Sequence, residues 1–486
     1  MGILSAIGKR LPKLHAPPEW GIESVPAERR ILVFKDFVVL WGDLGIGLLV
    51  MLAGTFLVPG LGLGDALVAI IIGTALGCLL LALIGVIGGA TGRPTMVLLR
   101  PLLGTRGSYL PTALNVLQLL GWTIFEFIVM GVAANTICRE LFGFSSYALW
   151  TAVFALAVIL MGLGGPVGFI RVWLEKFAVW IALATGLWLA YHLIATYGLG
   201  ALFAKAGDGS LPFWQGVDLV IALPISWLPL VADYNRFARR TSGAFWGTAL
   251  GFFVTSVWFL AMGAFLMLGA GVKQEPKDFA AEVALIAGWG SLLILLADET
   301  HNAWADLYST AVSLQNVFPK AKQRWLIIGL GAACLAAALF MDITKYQAFL
   351  YLFGSFFIPL FGVLAADYFV VRRRERSSAA GAGAERTGET ESGGTFARSA
   401  ARSAESSAAP SAARSAAWRA KAVAAWLVGV VIYHVTDPAT LASFVPSWAK
   451  IVPQNLTLIG GSIPSFVLPF LIYVALGLFS HRSQEV

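Results

Sequence analysis

Residues 297–316, ADETHNAWADLYSTAVSLQN, hold the least expected chemistry in the chain. Asp298, Glu299, His301, Asn302 and Asp306 crowd into nine positions directly after the apolar run Ser291–Ala297, in a chain of which only 13% is charged. At helical pitch Asp298, Asn302, Asp306 (or Ser309) and Ser313 form one stripe, so a helix can aim them together at an interior cavity. Ionisable groups at bilayer depth cost roughly 2.5 kcal/mol or more each, which marks the stripe as a substrate or ion site. The competing reading is the watery end of a helix.

The surroundings make bilayer depth the right frame. The chain has 486 residues, is 58% hydrophobic and contains 52 glycines. With a mean hydropathy of +0.78 it is too apolar for a soluble protein of its size. Stretches long enough to cross the hydrocarbon predict twelve spans, near 31–56, 65–90, 107–137, 147–163, 170–197, 214–232, 244–271, 283–317, 325–341, 346–371, 421–436 and 461–480. Counting Lys and Arg on alternate sides of these spans gives 28 on the side holding both termini against 6 on the other, and 18 against 6 without the long loop after the tenth span. The positive-inside rule then puts both termini in the cytoplasm and favours an even number of spans. This topology accounts for the net charge of +7, so no nucleic-acid partner is called for.

Other features of the chain are quieter. Cys78, Cys138 and Cys334 lie in or beside separate spans without metal spacing and read as ordinary apolar residues. Residues 1–30 are a polar cytoplasmic lead-in, too long and polar to be a cleavable signal. Residues 372–420, rich in Ala, Ser, Arg and Gly, read as a disordered cytoplasmic loop whose arginines can touch anionic lipid, and 421–486 as two scaffold helices and a cytoplasmic C-terminus.

Two spans carry helix breakers. The first, FKDFVVLWGDLGIGLLVMLAGTFLVP, is interrupted at Trp41-Gly42-Asp43-Leu44-Gly45. Glycines and an acid in mid-span weaken the helix and free carbonyls to bind a cation, which a membrane tolerates only where the break lines a cavity. Helix packing is the alternative for the glycines. The sixth span, VDLVIALPISWLPLVADYNRF, has Pro224 and Pro229 around Ser226 and Trp227, and two missing backbone donors predict a second break. The third span places Asn115, Gln118, Trp122 and Glu126 on one helical face. Trp122 offers a stacking plane and Glu126 accepts hydrogen bonds from ring N–H or amino groups, which suits a flat heterocycle, while Asn115 and Gln118 read as polar glue between helices. Broken spans one and six, and polar spans three and eight, lie five apart. That period predicts two inverted copies, about 31–197 and 214–371, within a ten-helix core of residues 31–371.

Four motifs, in order on the right spans, resemble the nucleobase:cation symporters that carry cytosine, purines, allantoin and hydantoins. They are ERRILVFKDFVVLWGD leading into helix 1, LLGWTIFEF in helix 3, LPLVADYNRFARR ending helix 6 and ADLYSTAVSLQNVFP in helix 8, and the likeness covers about residues 25–371. The last motif, with NVLQLLGWT, looks most like the hydroxymethylpyrimidine permease branch associated with thiamin precursor uptake.

The resemblance implies an all-α, LeuT-type 5+5 inverted repeat with helices 1 and 6 broken. It implies a substrate ring held between aromatics of helices 3 and 6, with Trp122 matching the helix 3 aromatic and Glu126 matching a glutamine of some members. The helix 6 contact segment falls on Pro224–Trp227. The candidate substrate residues are Trp122, Glu126, Gln118, Ser226, Trp227, Asn302, Asp306 and Trp41. The coupling cation of sodium-driven members sits between helix 1 carbonyls, here near Gly42–Gly45, and helix 8 hydroxyls. Here Asp298–Asn302 stand instead, with Thr300 as the only hydroxyl, so the candidate cation residues are Gly42, Asp43, Gly45, Asp298, Thr300 and His301, and either a sodium ion or a proton fits.

The expected function is inward symport of a small aminopyrimidine, hydroxymethylpyrimidine before cytosine, by a monomer in the cytoplasmic membrane without another cofactor. Two other classes were weighed. Gly62-Leu63-Gly64-Asp65 has the GxGD form of intramembrane aspartyl proteases, but it is short, falls in a predicted loop and has no second aspartate in a matching motif. A passive channel would need rings of like charge or a repeated filter, and the sequence has neither.

Overall fold

The computed structural model describes residues 20–168, 170, 174, 177–272, 276–341, 346–374, 416–442, 445, 447–450 and 460–482. The expectation for residues 1–19, and for most of the 372–420 loop, lies outside the described residues. The principal helices are α1 (Phe34–Asp43), α2 (Leu48–Thr55), α3 (Leu63–Thr91), α4 (Tyr109–Phe142), α5 (Tyr147–Gly162), α6 (Val179–Tyr197), α7 (Phe213–Ser226) and α8 (Val231–Asn235). They continue with α9 (Thr241–Ala270), α10 (Pro276–Ala287), α11 (Trp289–Val317), α12 (Gln323–Ala338), α13 (Tyr346–Ala365), α14 (Ala416–Thr436) and α15 (Ser462–Arg482). Among the described residues there is no strand, only an isolated parallel bridge between Leu32 and Ala238.

Every predicted span coincides with one of these helices or with a broken pair. Among the described residues six helices are by themselves long and apolar enough to cross a membrane, and α1 with α2, bent by 61°, makes a seventh if the pair is one span. Helix α11 is 29 residues long, and its acids lower its hydropathy. At the eighth span, residues 283–287 belong to the separate helix α10, because Gly288 takes a φ of +86° and starts α11 anew.

The helices sort into two groups. The first and sixth spans (α1, α2, α7, α8) pack with α3 and α9, whereas α4 packs with α5, α11 and α12. Helices α13, α14 and α15 form a third cluster at the side. Polarity is inverted relative to a soluble protein. Leu117, Trp180, Leu187 and Val254 are exposed, while Asp43, Glu126, Asp298, Glu299 and Asp306 are buried. Lipid rewards the first pattern, and the second survives only where buried polar groups find partners.

Both breaks are present, but the first is displaced from its expected place. Trp41, Gly42 and Asp43 form the last turn of α1, and the unwound residues are Leu44–Gly47. Gly47 takes a φ of +150°, which a side chain rarely allows, and this glycine places the break. In the sixth span α7 stops at Ser226 and α8 resumes at Val231. Carbonyls released there are taken by α4, as Gln118 Nε2 donates to Ser226 O at 2.6 Å and Asn115 Nδ2 to Pro229 O at 3.3 Å. The polar glue expected of this amide pair is thus visible.

Arg236, which sequence counting assigned to a loop, is fully buried. It donates to Trp20 O and Gly21 O, each at 2.7 Å, and to Tyr308 Oη at 3.1 Å, pinning the N-terminal segment under α8 and α11.

Among the described glycines the closest approach is between α2 and α9, where a Cβ at Gly263 would lie 1.8 Å from Met51 O. Gly263→Val should therefore destabilise the purified protein by at least ~1–3 kcal/mol, the usual cost of overpacking, or abolish a monodisperse peak on size exclusion. Gly290→Ala, in α11 with open space around it, should leave the melting temperature unchanged or raised.

Candidate functional site

Between the two helix groups lies a cavity lined by Leu44, Leu49, Val50, Trp122, Glu126, Leu223, Ser226, Trp227, Phe252, Glu299, Asn302 and Asp306. It sits where both breaks meet α4 and α11. The aromatic walls are braced from behind. Trp122 meets Phe349 edge-on at 5.7 Å, and Trp227 stands perpendicular to Trp41 at 6.0 Å. Trp41 is itself fixed by Nε1 donating to Asn235 Oδ1 at 3.1 Å.

Helix α11 presents two functional faces, not one stripe. Glu299, Asn302 and Asp306, spaced three and four apart, face the cavity. Asp298 turns instead toward α1 and joins Asp43 and His301. His301 Nδ1 lies 3.0 and 3.2 Å from the Asp43 carboxylate oxygens and 3.6 Å from Asp298 Oδ1. One ligand atom from each of the three buried residues falls within 4.8 Å of the others, so the group can hold a cation. Neither oxygen of Asp298 has a hydrogen-bond partner.

The first break is stitched to α11. Glu299 Oε2 accepts from Leu48 N at 2.8 Å and Oε1 from Leu49 N at 3.4 Å, while Asn302 Nδ2 donates to Ile46 O at 3.0 Å. These bonds replace helical ones that the unwound residues cannot make.

Of the predicted substrate residues, Trp122, Glu126, Ser226, Trp227, Asn302 and Asp306 line the cavity. Two stand behind it: Gln118 holds the sixth-span break and Trp41 backs Trp227. Among the cation residues, Asp43, Asp298 and His301 come together. Thr300 Oγ1 donates to Ala297 O at 2.6 Å within its own helix. The two glycines face α9: a Cβ at Gly42 would lie 3.6 Å from Gly251 O, and one at Gly45 2.3 Å from Thr255 Oγ1. Helix packing, the alternative for these glycines, is where that geometry puts them. Asp65 is exposed while Asp43 is buried, so the two do not form a carboxyl dyad. Glu299 was missing from the predicted site set, although its place three residues before Asn302 was a usable signal.

A cavity at two broken helices, beside a buried cluster able to hold a cation, is the arrangement of a secondary transporter. The profile of the family described as permease for cytosine/purines, uracil, thiamine, allantoin matches residues 24–389, and the chain belongs to this family of nucleobase:cation symporters. It is a multi-pass membrane transporter and not an enzyme.

Among curated relatives it is 26% identical over 377 residues to the hydantoin permease of Microbacterium maritypicum, covering 72% of this chain and 75% of that one. It is also 26% identical over 334 residues to the cytosine permease of Escherichia coli K12, covering 67% and 75%. The solved structure of Mhp1, a nucleobase-cation-symport-1 family transporter in a closed conformation with bromovinylhydantoin bound, superposes with a TM-score of 0.69 at 22% identity, covering 96% of this chain and 95% of that one. A Na+-coupled sialic acid symporter superposes with a TM-score of 0.56 at 12% identity, covering 93% and 90%. The fold is therefore LeuT-type.

Replacing Gly47 tests the stitch at the first break. A Cβ there would lie 2.9 Å from Glu299 Oε2, on a backbone with a φ of +150°. Gly47→Ala should lower stability by about 1–3 kcal/mol in thermal melts of the purified protein. An unchanged melting temperature would mean that the break is not fixed in this form.

Proposed function

We propose that this symporter imports a small pyrimidine-type heterocycle together with a cation, with hydroxymethylpyrimidine, a thiamin precursor, as the favoured substrate. The observation that carries the reading is the joint exposure of Trp122, Trp227 and Glu126 to one cavity at the two breaks. The tryptophans supply apolar faces for a flat ring. Glu126 Oε2, buried and without a hydrogen-bond partner, awaits an N–H donor. A carboxylate pairs with an aminopyrimidine through its amino group and adjacent ring nitrogen, far better once that nitrogen is protonated, and charge-assisted hydrogen bonds are roughly twice as strong as neutral ones. The second reading is a permease for cytosine or another purine- or hydantoin-type ring, favoured by the named activities of the relatives.

The coupling cation belongs where Asp43, Asp298 and His301 converge, and it is a sodium ion or a proton. Residues 31–371 act as the transport core of two inverted repeats, and 421–486 as accessory helices. The protein works as a monomer in the cytoplasmic membrane with both termini inside, in keeping with the Lys and Arg distribution.

Radiolabelled hydroxymethylpyrimidine should accumulate chemically unchanged in proteoliposomes when a sodium or proton gradient is imposed. Accumulation driven by sodium alone would identify the ion, and uptake indifferent to both gradients would indicate a passive pore. Glu126→Gln should weaken aminopyrimidine uptake at least about tenfold, and normal uptake would refute the assignment. Trp122→Ala should raise the apparent substrate constant by about 1–3 kcal/mol, the usual worth of stacking a base on an aromatic side chain.

A further inference from the structure

The hydrogen-bonding groups of the cavity are lopsided. Glu126, Glu299 and Asp306 contribute carboxyl oxygens, and no Lys or Arg lines the wall. Asn302 Oδ1 and Glu126 Oε2 are buried without hydrogen-bond partners. Of the side-chain donors at the wall, Ser226 Oγ is spent on Leu223 O at 2.6 Å and Asn302 Nδ2 on Ile46 O at 3.0 Å, Glu126 shares a hydrogen bond with Glu299, and the indole N–H groups of Trp122 and Trp227 are the others. A ring that turns carbonyl oxygens toward Glu126, Glu299 and Asp306 sets acceptors against carboxylate oxygens, and buried polar groups left unpaired are costly. A ring edged with amino groups or protonated nitrogens meets a partner at each of them.

Within this set Glu299 differs from the other two acids. It comes from α11, is fully buried, and its head is fixed by the Leu48 and Leu49 amides, so it cannot swing away from the cavity. The geometry points to Glu299 as a second substrate-contacting carboxylate that, with Glu126, selects donor-rich or cationic rings over diketo rings and ties the bound ring to the break in the first span. This rests on the heterocycle-importer reading and narrows its substrate class. Because the same carboxylate holds the first amides of α2, a ring that engages Glu299 loads the break directly. A site built to bond a substrate N–H rejects an analogue that lacks it far more strongly than an apolar pocket rejects a change of size.

The test is equilibrium binding of 2,4-diaminopyrimidine, cytosine and uracil to the full-length protein in nanodiscs. These share one ring while their amino groups are exchanged for carbonyls. Wild-type affinity should fall in that order, by at least about tenfold from first to last. Glu299→Gln should compress the series to within about threefold, whereas Glu299→Asp, which keeps the carboxylate, should preserve the order. Trp122→Ala should weaken all three rings alike. Uracil binding as tightly as diaminopyrimidine to the wild type, an unchanged series in Glu299→Gln, or a lost order in Glu299→Asp would overturn the inference. The wild-type order is a test whether or not the Gln variant folds. Failure of all three rings to bind would instead count against the heterocycle reading itself.

Discussion

A peptide chain can unwind at bilayer depth only if every freed N–H and C=O finds a partner within the protein. In this transporter the bonds from Glu299 to the Leu48 and Leu49 amides, and from Asn302 to the Ile46 carbonyl, meet that demand at the first break. Gln118 and Asn115 do the same for carbonyls of the sixth span. Each partner comes from α4 or α11, so the two helix groups are joined by polar bonds at the place where both broken spans open. The cavity is a consequence: where backbone leaves the helix and is held by a neighbour, the two groups cannot close to full van der Waals contact.

The same residues serve structure and chemistry. Helix α11 divides its polar side chains by angle, with Glu299, Asn302 and Asp306 on the cavity and Asp298 and His301 toward Asp43 in α1. Burial of so many acids is expensive in a greasy slab, and backbone amides and an imidazole compensate part of it here. The first span touches both sets of groups, since Asp43 ends α1 and Leu48 begins α2. The proposed ion and ring sites therefore lie on opposite lips of a single break, which offers a direct physical route for coupling them.

Much of this was legible in the sequence because its signals are local. Hydropathy marked the spans, Pro224 and Pro229 marked the sixth break, and the spacing of Trp122 and Glu126 showed one face of α4. Less legible was anything that depends on helix rotation. Residues 298 and 299 are only one helical step apart, and which of them faces the cavity is decided by what α11 packs on, so periodicity chose Asp298 where the cavity takes Glu299. The first break was misplaced by a few residues for a similar reason. Several glycines could have unwound, and contacts with α9 and α11 separate Gly42, which stays helical and packs, from Gly45 and Gly47, which lie in the break. Arg236 looked like loop charge because its partners, the carbonyls of Trp20 and Gly21, lie more than 200 residues away.

Carboxylates and tryptophans buried in separate spans converge on one chamber. The most direct measurement is an experimental structure of the protein in nanodiscs with hydroxymethylpyrimidine present. The account predicts ring density between Trp122 and Trp227, with its amino edge within hydrogen-bond distance of Glu126. Density elsewhere, or Trp122 and Glu126 turned to lipid with the chamber collapsed, would contradict it.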